Sequence, residues 1–374
     1  MIWVVILFAA TVFLAYANGA NDNFKGVATL WGSQTTRYQT AIAWATGTTF
    51  LGSLYSLILA ERLLKAFSGK GLVPDAIAQG TDFHLAIAFA AGVTVILATV
   101  FGFPISTTHG LIGSMVGAGL MAIGGQVNFA ALGQSFLLPL LLSPLVAIAL
   151  GIATYGLFRY LRIALGIQKE WCVCVGNTQQ LMPIPQPSTS QMVQCVTTPD
   201  VRVDTVESCT QRYKGTFWGV KSQALVDIFH YISAGIVSFA RGLNDTPKIV
   251  ALLLVGQSMS AQGGMLAIAL GMAVGGLLNA RKVAETMSQK ITTLNPGQGF
   301  SANLATGALV IAASRLGWPV STTHVSVSSI FGTGLLAKTA RGKVFINILL
   351  SWVLTLPLAA VLGSCFYFLF SRWS

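Results

Sequence analysis

Charge is what this chain of 374 residues has least of: 22 Lys and Arg and 11 Asp and Glu make up 9% of it, against roughly 25% in a soluble domain. A surface that poor in charge cannot stay hydrated, which excludes an ordinary soluble globular protein. Cysteine is also scarce, at five. Four of them, Cys172, Cys174, Cys195 and Cys209, fall in one polar stretch, and Cys365 lies in an apolar run. That stretch permits a zinc site, but Cys-x-Cys followed by irregular gaps is not a regular zinc pattern. No metal site beyond a transported cation and no cofactor is expected. The four histidines lie in no cluster that would serve a membrane enzyme.

What is abundant is apolar sequence, 54% of the chain, with a mean hydropathy of +0.71. A helix needs about 20 residues to cross the hydrocarbon core. Apolar runs at 2–16, 38–60, 83–100, 110–123 and 132–158, and again at 224–240, 263–278, 300–314, 325–336 and 345–370, predict an all-α polytopic membrane protein. The first run has no basic residues before it and reads as a membrane helix, not a cleaved signal. The 39 glycines suit close helix packing and broken helices. The formal charge of +11 then reads as basic cytoplasmic loops, and no nucleic-acid partner is expected.

Two motifs recur. Ala17-Asn18-Gly19-Ala20-Asn21-Asp22-Asn23-Phe24-Lys25 returns as Ala240-Arg241-Gly242-Leu243-Asn244-Asp245-Thr246-Pro247-Lys248, with five identities at an offset of 223. Pro104-Ile105-Ser106-Thr107-Thr108-His109 returns as Pro319-Val320-Ser321-Thr322-Thr323-His324 at an offset of 215. Glu61 and Glu285 form a third pair at 224. Markers in the same order at nearly one offset indicate an internal repeat: a first membrane repeat at 1–158, a central cytoplasmic connector at 159–221 and a second membrane repeat at 222–374. The connector, rich in Pro, Ser, Thr and Gln over 181–198, reads as flexible or as a small soluble insert.

About five crossings per half turn the second repeat upside down, with broken helices or re-entrant hairpins near mid-membrane. Placing both termini outside puts Lys338, Arg341 and Lys343, and Arg281, Lys282 and Lys290, on the inner side, while the outer loop 61–82 is neutral. This satisfies the positive-inside rule. A cytoplasmic connector argues against disulfides.

A carboxylate inside the membrane is costly and marks a functional site; Asp22 and Asp245 are two such groups in matching places. Ser106, Thr107, Thr108, Ser321, Thr322 and Thr323 stand at helix starts, where hydroxyls and free N–H groups can hold a tetrahedral anion. The carboxylates would repel that anion unless a cation lies between them. The pattern therefore points to cation-coupled anion transport, with Asn21 and Asn244 serving both ions. The plainer readings are ion pairs of Asp22 with Lys25 and Asp245 with Lys248, helix capping by the hydroxyls, packing for His109 and His324 against gating, and interface positions for Glu61 and Glu285 against an intramembrane ion pair.

The paired Gly-x-Asn-Asp and Pro-x-Ser-Thr-Thr-His motifs resemble those of the inorganic phosphate transporter (PiT) family across about four fifths of the chain. The resemblance implies a multi-pass transporter in a plasma or bacterial inner membrane, both termini outside, often a homodimer. It would import inorganic phosphate by symport with Na+ or H+ through alternating access. It also implies that Asn21, Asp22, Asn244, Asp245 and the two Ser-Thr-Thr runs build the central site. Sulfate transport on the same fold is the nearest alternative; an ion channel is an alternative of another class, but a cation pore needs no capped anion-binding turns. One departure stands out. The family usually continues Asn-Asp with Val-Ala-Asn, and here Asn23-Phe24-Lys25 and Thr246-Pro247-Lys248 follow. The lysines either balance the carboxylates, taking over part of a sodium requirement, or snorkel to an interface.

Overall fold

The computed structural model describes residues 2–167, 170–183, 193–213, 217–254 and 260–372. They divide into two units, Met1–Gly156 with His230–Ser374, and Leu157–Phe229. Among the described residues ten helices have 16 residues or more: α1 (Ile2–Asp22), α2 (Tyr38–Leu59), α3 (Thr81–Val100), α4 (Thr107–Ile123), α5 (Leu138–Ala164), then α7 (Ser222–Val250), α8 (Ala261–Asn279), α9 (Pro296–Leu316), α10 (Thr322–Ala337) and α11 (Gly342–Phe370). Six stretches are long and apolar enough to cross a membrane. Four of the ten helices, α2, α4, α9 and α10, are not among them; α4 and α10, at 17 and 16 residues, reach only about 25 Å at ~1.5 Å per residue, short of a ~30 Å core. Each packs against the helix before it, α3 or α9, as a hairpin.

The local chemistry of these starts is legible. Ser106 caps α4 by accepting from the His109 N–H at 3.1 Å, and Ser321 caps α10 by accepting from the His324 N–H at 3.3 Å. Asn295 and Gln298 form a reciprocal capping box at the start of α9, both bonds 2.9 Å. Gly317 ends α9 at φ 77°, the left-handed conformation that glycine tolerates.

The repeat is visible in the helices. α2 and α8 start at 38 and 261, which are 223 apart; α3 and α9 start at 81 and 296, and α4 and α10 at 107 and 322, both 215 apart. The halves interlock through the same glycines in each copy. A Cβ on Gly19 would strike the Met272 carbonyl and one on Gly275 the Tyr16 carbonyl; 223 positions away, one on Gly242 would strike the Thr49 carbonyl and one on Gly52 the Phe239 carbonyl. So α1 lies on α8, and α7 lies on α2, with backbones touching. Gly117 on Ala360 and Gly332 on Ile148 repeat the exchange for α4 with α11 and α10 with α5.

The two Asn-Asp motifs are not equally broken. After Asp22 the chain tightens into a 3-10 stretch, Asn23–Val27, as the expected break requires. The second helix instead runs through Asp245 and Pro247 to Val250. Proline donates no N–H, so the ladder there lacks one bond without ending.

The unit Leu157–Phe229 holds β1 (Trp171–Pro183), β2 (Val193–Thr205), a short helix α6 (Val206–Arg212) and β3 (Phe217–Lys221). The sheet is antiparallel in the order β2-β1-β3, with Cys172 opposite Asp204 and Lys221. The stretch at 159–221 thus carries an ordered small insert; within its Pro/Ser/Thr/Gln-rich part, residues 184–192 lie outside the described residues. The expectation of no disulfide is overturned: Cys174 and Cys209 are bonded, with Cα atoms 6.3 Å apart. β1 and α6 bring them together around Cys172 and Tyr213 in a core too small to hold itself by burial alone.

Candidate functional site

The end of α1 and the middle of α7 carry the charged residues into the interior. Asn18, Asn21, Asp22, Lys25, Arg241, Asn244, Asp245 and Lys248 are all buried, none more than 4% exposed. Helices of small and apolar residues surround them, so these polar groups are satisfied by one another, by the starts of α4 and α10 and by a few polar side chains such as Thr99 and Ser314.

The ammonium of Lys25 donates to Asp22, to the Asn21 Oδ1 at 2.9 Å, to the Ile105 carbonyl at 2.7 Å and to the Thr323 hydroxyl at 2.6 Å. Lys248 lies 3.5 Å from the Asp245 carboxylate and donates to the Val320 carbonyl at 2.9 Å and the Thr108 hydroxyl at 2.8 Å. Ile105 and Val320, like Thr108 and Thr323, are 215 apart. Each lysine therefore binds a carbonyl of its own repeat and a hydroxyl of the other. The Asn18 amide joins the two acids, donating to Asp22 Oδ2 at 3.1 Å and Asp245 Oδ2 at 3.4 Å. Thr107 donates to Asp22 Oδ2 at 3.1 Å. Asn21 donates to Thr99 and to the Phe103 carbonyl at 2.9 and 3.0 Å; Asn244 donates to Val320 at 3.2 Å and accepts from Ser314 at 3.2 Å. Arg241 reaches the Asn18 and Asn23 side-chain oxygens at 3.3 and 3.5 Å, and its Nε has no hydrogen-bond partner among the described residues.

Three basic groups thus face two acids. With all five ionised the cluster carries one net positive charge. Isolated buried ions are expensive, and pairing offsets the expense only with good geometry and further hydrogen bonds, which Lys25 has most fully. The residual charge and the N-termini of α4 and α10 both favour an anion.

The structure assembles most residues singled out in the sequence. Asn21, Asp22, Lys25, Asn244, Asp245, Lys248, Thr107, Thr108 and Thr323 meet directly; Ser106 and Ser321 cap the flanking helices, and Thr322 is buried in the first turn of α10. The snorkelling alternative for the lysines is overturned, because both are buried and bonded across the repeats. His109 and His324 pack with ring centroids 4.6 Å apart, and His324 stacks on Trp352 at 3.8 Å. Glu61 and Glu285 do not join. Glu61 is exposed and Glu285 partly exposed, and they pair with Lys65 at 2.8 Å and Arg281 at 3.5 Å, one helical turn away; the Lys65 bond holds the Glu61 carboxyl below its usual range. Sequence reasoning missed Asn18 and Arg241. They occupy one repeat position, 223 apart, but differ in type, so a search for identities passes over them. An arginine on an apolar helix was the available signal.

The sequence model of the phosphate transporter family matches residues 18–363. The chain is similar to a protein of Thermococcus kodakarensis named as a phosphate permease, 28% identical over 97% of this chain and 96% of that one. It is also similar to the chloroplastic inorganic phosphate transporter 2-1 of Arabidopsis thaliana, 25% identical over 96% of this chain and 71% of that one. Among solved structures, one described as the sodium-dependent phosphate transporter shares the fold, with a TM-score of 0.76 at 21% identity over the whole of both chains.

Proposed function

The chain belongs to the phosphate transporter family, and from that premise we propose that it imports inorganic phosphate by alternating access, coupled to a cation, Na+ or H+. The observation that carries the reading is the buried cluster itself: two carboxylates, two lysines and two capped helix starts, contributed in pairs by the two repeats, with Arg241 as an unpaired third basic group. Phosphate would bind between the starts of α4 and α10, using their N–H groups with Thr107, Thr108, Thr322 and Thr323. Asp22, Asp245, Asn21 and Asn244 would hold the coupling cation. Cation and anion each lower the cost of desolvating the other.

In this conformation the cluster is closed to solvent, an occluded arrangement. A surface cavity lined by Trp31, Gln34, Arg37, Thr40 and Gln289, and another lined by Arg62 and Arg315, are the candidate vestibules. The repeats would have inverted topology, with both termini outside a plasma or bacterial inner membrane and the 159–221 connector inside; the protein would work as a homodimer. No covalent step is assigned.

The test is uptake of radiolabelled phosphate into proteoliposomes under imposed sodium or proton gradients, with excess sulfate as competitor and Asp22→Asn beside the wild type. Gradient-driven uptake that sulfate leaves intact and the variant loses is the expected result. Strong suppression by sulfate would transfer the assignment to another oxyanion, and flux without saturation would indicate a channel.

A further inference from the structure

We infer that the ammonium groups of Lys25 and Lys248 occupy the two positions a coupling sodium ion would need, so that this transporter binds and moves its anion without sodium. The inference deepens the transport reading above and rests on it.

Lys25 Nζ has four oxygens around it: a carboxylate, an amide, a carbonyl and a hydroxyl, from Asp22, Asn21, Ile105 and Thr323. An ammonium has three hydrogens to give. Four oxygens of mixed type converging on it from three chain segments are what a small hard cation collects from carboxylates, carbonyls and side-chain oxygens. The second shell repeats the first. Lys248 Nζ meets the Asp245 carboxylate, the Val320 carbonyl and the Thr108 hydroxyl, the residues that the repeat offsets map onto Asp22, Ile105 and Thr323. Two shells that share a carboxylate, a carbonyl and a hydroxyl at matching repeat positions, the Lys25 shell adding the Asn21 amide oxygen, are each centred on a positive charge that is part of the chain.

A sodium ion could enter either shell only by evicting the ammonium. The evicted group is buried to within 2% of full enclosure, so it would remain close by as an uncompensated like charge. The tethered cations already do what a coupling ion does electrostatically: they neutralise Asp22 and Asp245, and with Arg241 they leave one positive charge for the anion. They cannot leave with it. The coupling cation that remains is a proton, and these residues leave no place for sodium.

The test uses the full-length purified protein. Binding of radioactive sodium is measured at equilibrium, thermal unfolding is compared in sodium chloride and choline chloride of equal ionic strength, and phosphate uptake into proteoliposomes is measured in both media. The wild type is expected to show no saturable sodium binding, the same unfolding temperature in both salts and undiminished uptake in choline. Lys25→Asn with Lys248→Asn shortens both side chains while keeping an oxygen in each shell; if folded, it is expected to gain saturable sodium binding and a rise in unfolding temperature specific to sodium. Saturable sodium binding by the wild type, or uptake lost in choline, overturns the inference. So does a folded double variant that still ignores sodium. Should the wild type take up no phosphate in either medium, the phosphate reading fails, and the sodium-binding measurement decides the inference by itself.

Discussion

Replacing Lys248 by methionine removes one charge from the cluster while nearly preserving side-chain volume, and the cost follows from the structure. Lys248 and Asp245 are 3.5 Å apart. At an effective dielectric constant near 20 their attraction is about 5 kcal/mol before desolvation. Breaking a buried pair by removing one partner typically costs ~3–5 kcal/mol, because the other charge stays buried and uncompensated. Among the described residues Asp245 would keep the Asn244 amide at 2.9 Å and the Asn18 amide at 3.4 Å, and Thr108 and the Val320 carbonyl would lose a donor. At roughly 2 °C per kcal/mol for a chain of this size, Lys248→Met should lower the unfolding temperature by about 6–10 °C in one detergent. Asp245→Asn alone leaves two net positive charges and should also destabilise. Together the two changes remove one charge of each sign and restore the net charge of the wild type, so the double variant should recover to within about 1 kcal/mol of it. Thermal unfolding of the four proteins forms a complete cycle. Additive losses would refute the claim that this pair is an electrostatic unit.

Three further outcomes are expected. A side chain at Gly117 meets the Ala360 backbone, so Gly117→Val should force α4 from α11 and cost ~3 kcal/mol or more; Gly125→Ala, which meets nothing within 4 Å, should stay within ~0.5 kcal/mol, both read by thermal unfolding. Arg241→Asn, which makes the position match Asn18 of the other repeat, removes the odd positive charge and should weaken phosphate binding by about tenfold or more, read as a rise in KM for uptake. With native Cys172, Cys195 and Cys365 replaced by Ser, a membrane-impermeant maleimide applied to intact cells should label Asp75→Cys in the 61–82 loop and leave Val201→Cys in the connector untouched. The opposite pattern would reverse the orientation and place the Cys174–Cys209 bond in an oxidising compartment.

The helices were legible because a membrane writes its demands plainly: an apolar run has one reading, and Pro104 and Pro319 with the hydroxyls after them mark where α4 and α10 begin. The pairing of Asp22 with Asp245 was legible from the repeat. The environment of the lysines was not. Lys25 is three residues from Asp22 in sequence, but its decisive partner, Thr323, lies 298 residues away, and no local spacing distinguishes that from a side chain reaching an interface. The disulfide was hidden for a different reason. Charge counting assigns a compartment, whereas the proximity of Cys174 and Cys209 depends on how β1 and α6 pack, which is set by the insert's own small core.

The mismatch between Asn18 and Arg241 explains more than the matches do. If both repeats carried asparagine there, two lysines would balance two carboxylates and the interior would be neutral, with no charge left over to draw an anion from water. If both carried arginine, two positive charges would remain, and the cost of enclosing them without a ligand would rise steeply. One arginine leaves a single positive charge, small enough for the Asn18 and Asn23 oxygens to hold with the site closed. Internal symmetry thus places a carboxylate, a carbonyl and a hydroxyl around each lysine. A single departure from it supplies the charge that an anion can answer, and the departure lies on α7, in contact with the Asn18 amide that also joins both acids. Arg241 is therefore wired to the groups the repeats share, so an anion bound there, as the transport reading requires, would be felt by Asp22 and Asp245 through one side chain.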